Sequence, residues 1–384
     1  MKVVQINTFS YKSTGTIMMN IHKELQKNGI ESYVVWGRGR ESENDHEIYM
    51  NDKLGVYFHG LYTRLTDKTG FASKRTTKKL LKRLDEIKPD IVHLHNIHGY
   101  YINIELLFDY LKQNNIRVIW TLHDCWPFTG HCPHFEYVKC DKWKTECKNC
   151  SEYKNSYPKS FKDNSNWNYL KKKELFQGLN LKIITPSKWL ANLVKKSFLK
   201  EYDIEVINNG IDTKIFKPRK SDFRKKYNLE NKKIILGVAS DWTEKKGIQD
   251  FTKLSEMIDE DEVIVLVGLN KKQLKKLPEN IIGIERTNNA IELAEIYSTA
   301  DLFFNPTYED NYPTVNLEAI ACGTPVITYN TGGSSESAIN GVIINNINNF
   351  LEIRNKTYEK SICIDNKDII SNKNMIEKYI SLYK

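Results

Sequence analysis

The sequence predicts an α/β protein made of two parallel-sheet, Rossmann-like domains, and three observations carry that expectation. Short apolar runs of strand length alternate with longer amphipathic stretches, the pattern of repeated β-α-β units. The alternation runs twice, before and after the turn Asn208-Asn209-Gly210. The length of 384 residues also exceeds what one hydrophobic core usually spans.

In chain order, Val3–Ile6 reads as a buried strand. Ser13-Thr14-Gly15 follows, then a helix with Ile17, Met18, Ile21 and Leu25 on one face, ending at Gly29. Tyr33–Trp36 is the next strand. Strand, crossover helix and strand imply parallel pairing. Asp90–Leu94 and Arg117–Leu122 read as further strands. Lys182–Thr185 and a helix from Ser187, its N-cap, to about Phe198 close the first half. The second series reads as strand Lys233–Val238, helix Lys246–Met257, and strands Val263–Val267, Asp301–Phe304 and Pro325–Thr328. Asp368–Lys384 reads as a terminal helix. No fixed-period repeat is present, and low complexity is confined to the Asn-rich stretch Ile344–Asn349. The expected boundaries are 1–200, 201–367 and 368–384. Two such domains are expected to face a cleft, with ligands beyond the carboxyl ends of the strands.

Hydrophobic content of 40% and charged content of 27% are those of a soluble globular protein. No apolar run reaches the roughly 18 residues of a membrane span. The start, MKVVQINTFSYKSTG, lacks the apolar core of a signal peptide, so a cytoplasmic location is expected. Lys+Arg 57 against Asp+Glu 48 gives +9, partly from the run Lys74–Arg83. That run is either a solvated helix face or a contact for anionic phospholipid or a pyrophosphate-linked acceptor. No nucleic-acid-binding module is recognisable and the excess charge is mild, so nucleic acid is not an expected partner.

The most informative segment is Thr307–Ile327, TYEDNYPTVNLEAIACGTPVI. Pro313 suits the first turn of a helix. Leu317, Ile320 and Ala321 give it an apolar face, and Gly323-Thr324-Pro325 stops it before the strand that begins at Val326. Asp310 and Glu318 flank the helix start. Free N–H groups and the positive dipole end suit a phosphate there. A carboxylate one turn in can accept ribose hydroxyls, and one on the entry loop can hold a sugar. The plainer reading is an amphipathic helix with two solvated acids. Ser240–Gly247 also follows a strand and opens a helix, and it carries Lys245 and Lys246. Gly15, without a Cβ, would let backbone approach a phosphate or sugar closely. His123 ends an apolar strand and is expected at the cleft rim. Asp124 beside it would orient the loop or an acceptor hydroxyl. Of His93 and His95, at least one is expected to be packing or loop support.

The segment 307–327 resembles the donor-site signature of the retaining GT-B glycosyltransferases of glycosyltransferase family 4, two glutamates separated by seven residues. Glu318 matches the second, and EAIACGTPVI fits the tail. Asp310, one methylene shorter, stands where the first glutamate is expected, with Glu309 just before it. SYKSTGTIMMNIHKELQKNGIESYVVWGRG, DIVHLHN, TLHD, TPSKWL and VINNGIDTKIF also match, so the resemblance covers almost the whole chain. It is nearest to bacterial enzymes of colanic-acid-type and other surface polysaccharides, such as capsule and O-antigen.

The resemblance implies a GT-B fold whose C-terminal helix crosses back to the first domain. It implies a hexosyltransferase-type reaction (EC 2.4) that retains anomeric configuration and needs no catalytic metal. The first domain would bind a glycan or lipid-linked glycan acceptor, the second a nucleotide-sugar. Lys246 would neutralise the donor diphosphate, Asp310 would hold sugar hydroxyls, Glu318 the ribose, and His123 the sugar. Gly15, Asn311, Tyr312, Thr314 and Val315 would complete donor binding, and the turn Gly332-Gly333 would line the donor cleft. The family's arginine before the lysine falls near Asp241, and Lys245 is the substitute at hand. Asp310 and that missing arginine motivate a second reading, a catalytically silent partner subunit. A third is a GT-B-fold nucleotide-sugar isomerase.

Five of the seven cysteines lie between 125 and 150. Cys147-x-x-Cys150 has metal-knuckle spacing, and Cys132 and Cys140 could complete four thiolates, with Cys125, His131 or His134 as substitutes. A reducing compartment favours structural zinc or free thiols over an iron–sulfur cluster or disulfides. Cys322 and Cys363 read as core residues or isolated thiols.

Overall fold

The computed structural model describes residues 1–42, 44–358 and 367–384; Cys363 lies outside them. The chain divides into two compact units, Met1–Ile207 with Ile376–Lys384, and Asn208–Met375. The first division therefore falls after residue 207 rather than 200, because a strand at 203–206 still belongs to the first sheet. The second falls inside the terminal helix Asn372–Tyr383.

The first unit holds seven strands: β1 (Lys2–Phe9), β2 (Glu31–Arg38), β3 (Glu47–Tyr49), β4 (Ile91–Leu94), β5 (Arg117–Thr121), β6 (Leu181–Thr185) and β7 (Asp203–Val206). They are parallel, in the order β3-β2-β1-β4-β5-β6-β7. The second unit holds β8 (Lys233–Val238), β9 (Glu262–Val267), β10 (Ile281–Ile284), β11 (Leu302–Asn305), β12 (Val326–Tyr329) and β13 (Val342–Ile344), also parallel, in the order β10-β9-β8-β11-β12-β13. Strands such as IVHL in β4 and EVIVLV in β9 are buried along their whole length. That burial is why they read as continuous apolar runs rather than alternating ones. In each sheet the order reverses once, between β1 and β4 and between β8 and β11. Crevices beyond the carboxyl ends of the strands at such points are where open α/β sheets bind ligands.

The last residues of the chain pack into the first unit. Tyr383 Oη lies 2.5 Å from His93 Nδ1, and Tyr379 Oη lies 3.1 Å from Thr121 Oγ1. Arg117 donates to the Leu382 carbonyl at 2.6 Å.

One helix of this unit is turned outward. Lys53–Thr66 buries His59 and Thr63 but exposes Leu54 (73%), Tyr57, Phe58, Leu61, Tyr62 and Leu65. The neighbouring helix Lys74–Ile87 is conventional. It buries Leu80, Leu84 and Ile87 and exposes Lys74, Arg75, Lys78, Lys79, Lys82 and Arg83. The two helices are joined by a hydrogen bond from Thr76 to Asp52, the N-cap of the first, and by one between His59 and Ser73. Among the described residues no helix is long and apolar enough to cross a membrane.

Candidate functional site

In the second unit, the loops that leave β8 and β11 meet at the reversal point. The β8 loop makes a single 3-10 turn, Glu244–Lys246, and then Gly247 at φ +76°. A Cβ on Gly247 would stand 2.3 Å from the Pro306 carbonyl oxygen, so only glycine lets the turn press against the β11 loop. The Tyr308 N–H donates to the Lys245 carbonyl at 2.8 Å. Lys245 Nζ is 3.0 Å from Glu309 Oε2, whose side chain is 4% exposed. Lys246 Nζ is 2.6 Å from Asp310 Oδ2 and donates to the Glu309 carbonyl at 3.2 Å.

A third loop, after β12, grips the same place. The Gly333 N–H donates to the Asp310 carbonyl at 2.9 Å, and a Cβ on Gly332 would lie 2.1 Å from that oxygen. A buried polar network fixes the following helix, Thr314–Ala321. Asn316 donates to Ser337 Oγ (2.9 Å) and the Ser334 carbonyl (3.2 Å) and accepts from Asn305 at 2.8 Å, while Thr328 and Ser334 hydroxyls meet at 2.7 Å. Asn, Ser and Thr are common in loops, and nothing in the spacing of these five residues marked this role. Pro313 occupies the N-cap position of the helix and supplies no side-chain cap. The first-turn amides keep the character that suits an anion. Asn311 and Tyr312 are buried in the loop, and Thr314 and Val315 are half-buried at the helix start.

Glu318 is half-buried one turn in. Burial pushes its pKa up to about 7, partly offset by hydrogen bonds from Tyr297 and Thr314; Tyr297 Oη is 3.1 Å from Oε2. The two acids are therefore not simply solvated. Asp310 is paired with a lysine, and Glu318 is poised to titrate near neutrality. Lys245, the expected stand-in for an arginine, has its ammonium against the buried Glu309, while Asp241 is exposed.

The first unit brings together a row of imidazoles at the ends of β4 and β5. His123 Nε2 lies 3.0 Å from His95 Nδ1, with the rings stacked at 5.3 Å and 15°. His93 follows at 4.2 Å from His95 and hydrogen-bonds Thr121 and Tyr383. Desolvation lowers the pKa of His93 to about 3 and of His123 to about 4, and lowers that of His95 as well. All three rings are neutral at physiological pH. Asp124 faces elsewhere. Burial would raise its pKa, but His98 at 2.8 Å and the Trp126 N–H hold it below the usual range. It orders the loop. Gly15 lies inside the helix Lys12–Lys27, and a Cβ there would stand 2.6 Å from the Phe9 carbonyl oxygen. The close approach it permits within the unit is to the chain's own backbone.

All cysteines among the described residues are free. Cys132, Cys140, Cys147 and Cys150 line one cavity of about 20 Å³ together with His131. The Cys132 and Cys150 sulfurs are 3.8 Å apart. As they stand, no three His, Cys, Asp or Glu side chains among the described residues are gathered closely enough to hold a metal ion.

Residues 14–215 match Glycosyltransferase Family 4, and residues 219–374 match Glycosyl transferases group 1. A glycosyl transferase of Escherichia coli (strain K12) named for colanic acid biosynthesis, WcaC, is 23% identical over 352 residues, which cover 88% of this chain and 85% of that one. The N,N'-diacetylbacillosaminyl-diphospho-undecaprenol alpha-1,3-N-acetylgalactosaminyltransferase of Campylobacter jejuni is 28% identical over 166 residues, covering 39% of this chain and 42% of that one. Among solved structures, sucrose-phosphate synthase from Thermosynechococcus elongatus superposes with a TM-score of 0.73 at 14% identity, covering 100% of this chain and 98% of that one. Anabaena HepE in complex with UDP-glucose gives 0.66 at 14% identity, covering 100% and 99%. At such identities the structural matches establish the fold.

Proposed function

The chain belongs to Glycosyltransferase Family 4, and from that premise we propose that it moves a sugar from a nucleotide-sugar to a lipid-linked glycan acceptor with retention of configuration. The observation that carries this is the Lys246–Asp310 pair at the β8/β11 reversal, beside an uncapped helix start and a half-buried Glu318. The donor diphosphate takes the Lys246 ammonium from Asp310 and draws on the first-turn amides of the helix at 314. Asp310, released, accepts from a sugar hydroxyl, and Glu318 accepts from the ribose. On this reading the first unit binds the acceptor, and the neutral His123 positions the sugar by hydrogen bonding rather than as a cation.

The bond from the anomeric carbon to the diphosphate oxygen breaks as the bond to the acceptor oxygen forms on the same face. The acceptor proton passes to the departing diphosphate. Lys246 meets the negative charge that grows on that group, and no metal is needed for this step. Screening nucleotide-sugars for thermal stabilisation identifies the donor. NMR of the product then reads the linkage, and an α-donor is expected to give an α-product. An inverted product overturns retention. Donor rearrangement without nucleoside diphosphate release would instead mark an isomerase. Absence of any turnover with every donor would mark the silent subunit that the Lys245–Glu309 pairing leaves as the second reading.

A lipid-linked acceptor places the enzyme at an anionic membrane surface, and the outward-turned helix Lys53–Thr66 is suited to one. Its exposed Leu54, Tyr57, Phe58, Leu61, Tyr62 and Leu65 form an apolar face beside the cations of Lys74–Ile87. That combination lies in the headgroup boundary of anionic bilayers. The run Lys74–Arg83 then supplies the electrostatic part and the helix before it the apolar part. Co-sedimentation with phosphatidylglycerol vesicles is expected to weaken as salt rises. The double substitution Leu54→Ser, Phe58→Ser should cut binding at least ten-fold. Failure to bind these vesicles at low salt, or a change in oligomeric state alone in the double variant, counts against this surface.

A further inference from the structure

The cysteine loop takes no part in the reaction above. Between β5 and the helix Ser165–Leu175, regular structure is limited to the 3-10 turns Trp126–Phe128 and Lys142–Lys144. A loop of that length without its own elements is uncommon in a compact unit unless something ties it down. What it does gather is sulfur. The cavity of about 20 Å³ that Cys132, Cys140, Cys147 and Cys150 line has room for one small ion.

Cys132 and Cys150 sulfurs stand 3.8 Å apart. That is far beyond a disulfide bond of about 2.05 Å. It equals the edge of a tetrahedron of sulfurs about 2.3 Å from a central zinc, which is about 3.8 Å. Backbone N–H groups already point at two of the sulfurs, from Gly130 to Cys147 and from Glu152 to Cys150. The first contact depends on glycine, since a Cβ on Gly130 would lie 2.7 Å from the Cys147 Cβ and 2.1 Å from the Ser165 carbonyl oxygen. Lys142 and Lys148 line the cavity, and the buried Lys172, whose pKa desolvation lowers to about 7, interacts electrostatically with Cys147. Lysines at the wall suit the doubly negative complex that four thiolates make with zinc.

His131 forms another part of the wall. Its Nδ1 meets Asp67 at 2.5 Å, with both side chains fully buried. Its Nε2 is buried, and the Ser156 backbone lies near the ring. A carboxylate behind the far nitrogen is the usual setting of a histidine at a metal site.

We propose that this loop binds one structural zinc ion through the thiolates of Cys132, Cys140, Cys147 and Cys150. Metal draws Cys140 and Cys147 onto the edge that Cys132 and Cys150 already form. Each thiol gives up its proton to solvent on binding. Four protein ligands leave no open position, so the ion holds the loop that follows His123 and does no chemistry.

Protein purified without added zinc and dialysed against a mild chelator is expected to carry about one zinc per chain. In that wild-type protein, p-hydroxymercuribenzoate should release the zinc to a chromophoric chelator as four thiols react. Cys147→Ser and Cys150→Ser should lose it, and Cys322→Ser should keep it. Metal-free wild-type protein whose four loop thiols titrate freely overturns the proposal, as does zinc retained in both loop variants. Loss of zinc in His131→Ala with retention in Cys140→Ser would replace the four-thiolate set by three thiolates and an imidazole. The wild-type release experiment stands even if a variant fails to fold.

Discussion

Lys246→Ala is expected to lower kcat by about 10²–10³-fold while moving the donor KM much less. Its ammonium is the cation at the site that a diphosphate can recruit most directly. It lies 2.6 Å from a partly exposed Asp310, whereas Lys245 is set against the buried Glu309. Charge on the leaving group peaks late, so an interaction with it acts on turnover more than on ground-state binding, and removing one such group typically costs that factor. The variant has a second defect. Asp310, left without its partner, now repels the diphosphate. Adding Asp310→Asn to Lys246→Ala removes that repulsion together with the charged acceptor for the sugar hydroxyl, so kcat should stay low. Lys246 is about a third exposed, so the fold should survive, and a melting curve checks this. Wild-type kcat in Lys246→Ala would remove the proposed site.

Glu318→Gln should make the free protein more stable and bind donor worse. Burial raises the Glu318 pKa from the usual 4.5 to about 7. A carboxyl whose folded pKa is raised contributes stability that is complete below pH 4.5 and is lost as pH rises through about 7. Glutamine, always neutral, suffers no such loss. The variant should match wild type near pH 4 and exceed it at pH 8 by roughly 3 kcal/mol, seen as several degrees in Tm. Donor binding runs the other way. Ribose hydroxyls bond a carboxylate more strongly than an amide oxygen, so the variant should lose about ten-fold in affinity. Wild-type affinity should also fall below pH 7, where the acid is protonated, and that slope should vanish in Glu318→Gln. A stability difference that does not vary with pH, or unchanged donor affinity, would show that the acid does neither.

The centre of each sheet was legible in the sequence, and its margins were not. The strands that sequence reasoning missed, β3, β7, β10 and β13, are the four sheet edges. Most of their residues are only partly buried, as in EIY and DIEV, so neither continuous apolar character nor clean alternation marks them. The helix at 314 was readable because Pro313 and Gly323 punctuate it. The ion pairs of Lys245 and Lys246 were not, because they join residues more than sixty positions apart through two glycine-dependent loop contacts. Gly15 was identified for a permissive backbone, but spacing could not say that the Phe9 backbone lies against it. The outward-turned helix at 53–66 escaped notice because a helical apolar stripe carries no sign of which way it faces. Only the burial of His59 and Thr63 shows it.

The return of residues 376–384 to the first unit sets a timetable for biosynthesis. His93 and Tyr383 are separated by 290 positions. At roughly 5–20 residues per second, the ribosome needs about 15–60 s after making β4 before its tyrosine partner exists. Throughout that interval the nascent first unit carries an unfinished patch around His93 and Thr121, while the whole second unit emerges behind it. Fast elongation or chaperone cover over this window should raise soluble yield, and a stall between residues 208 and 375 should leave a first unit that aggregates rather than waits.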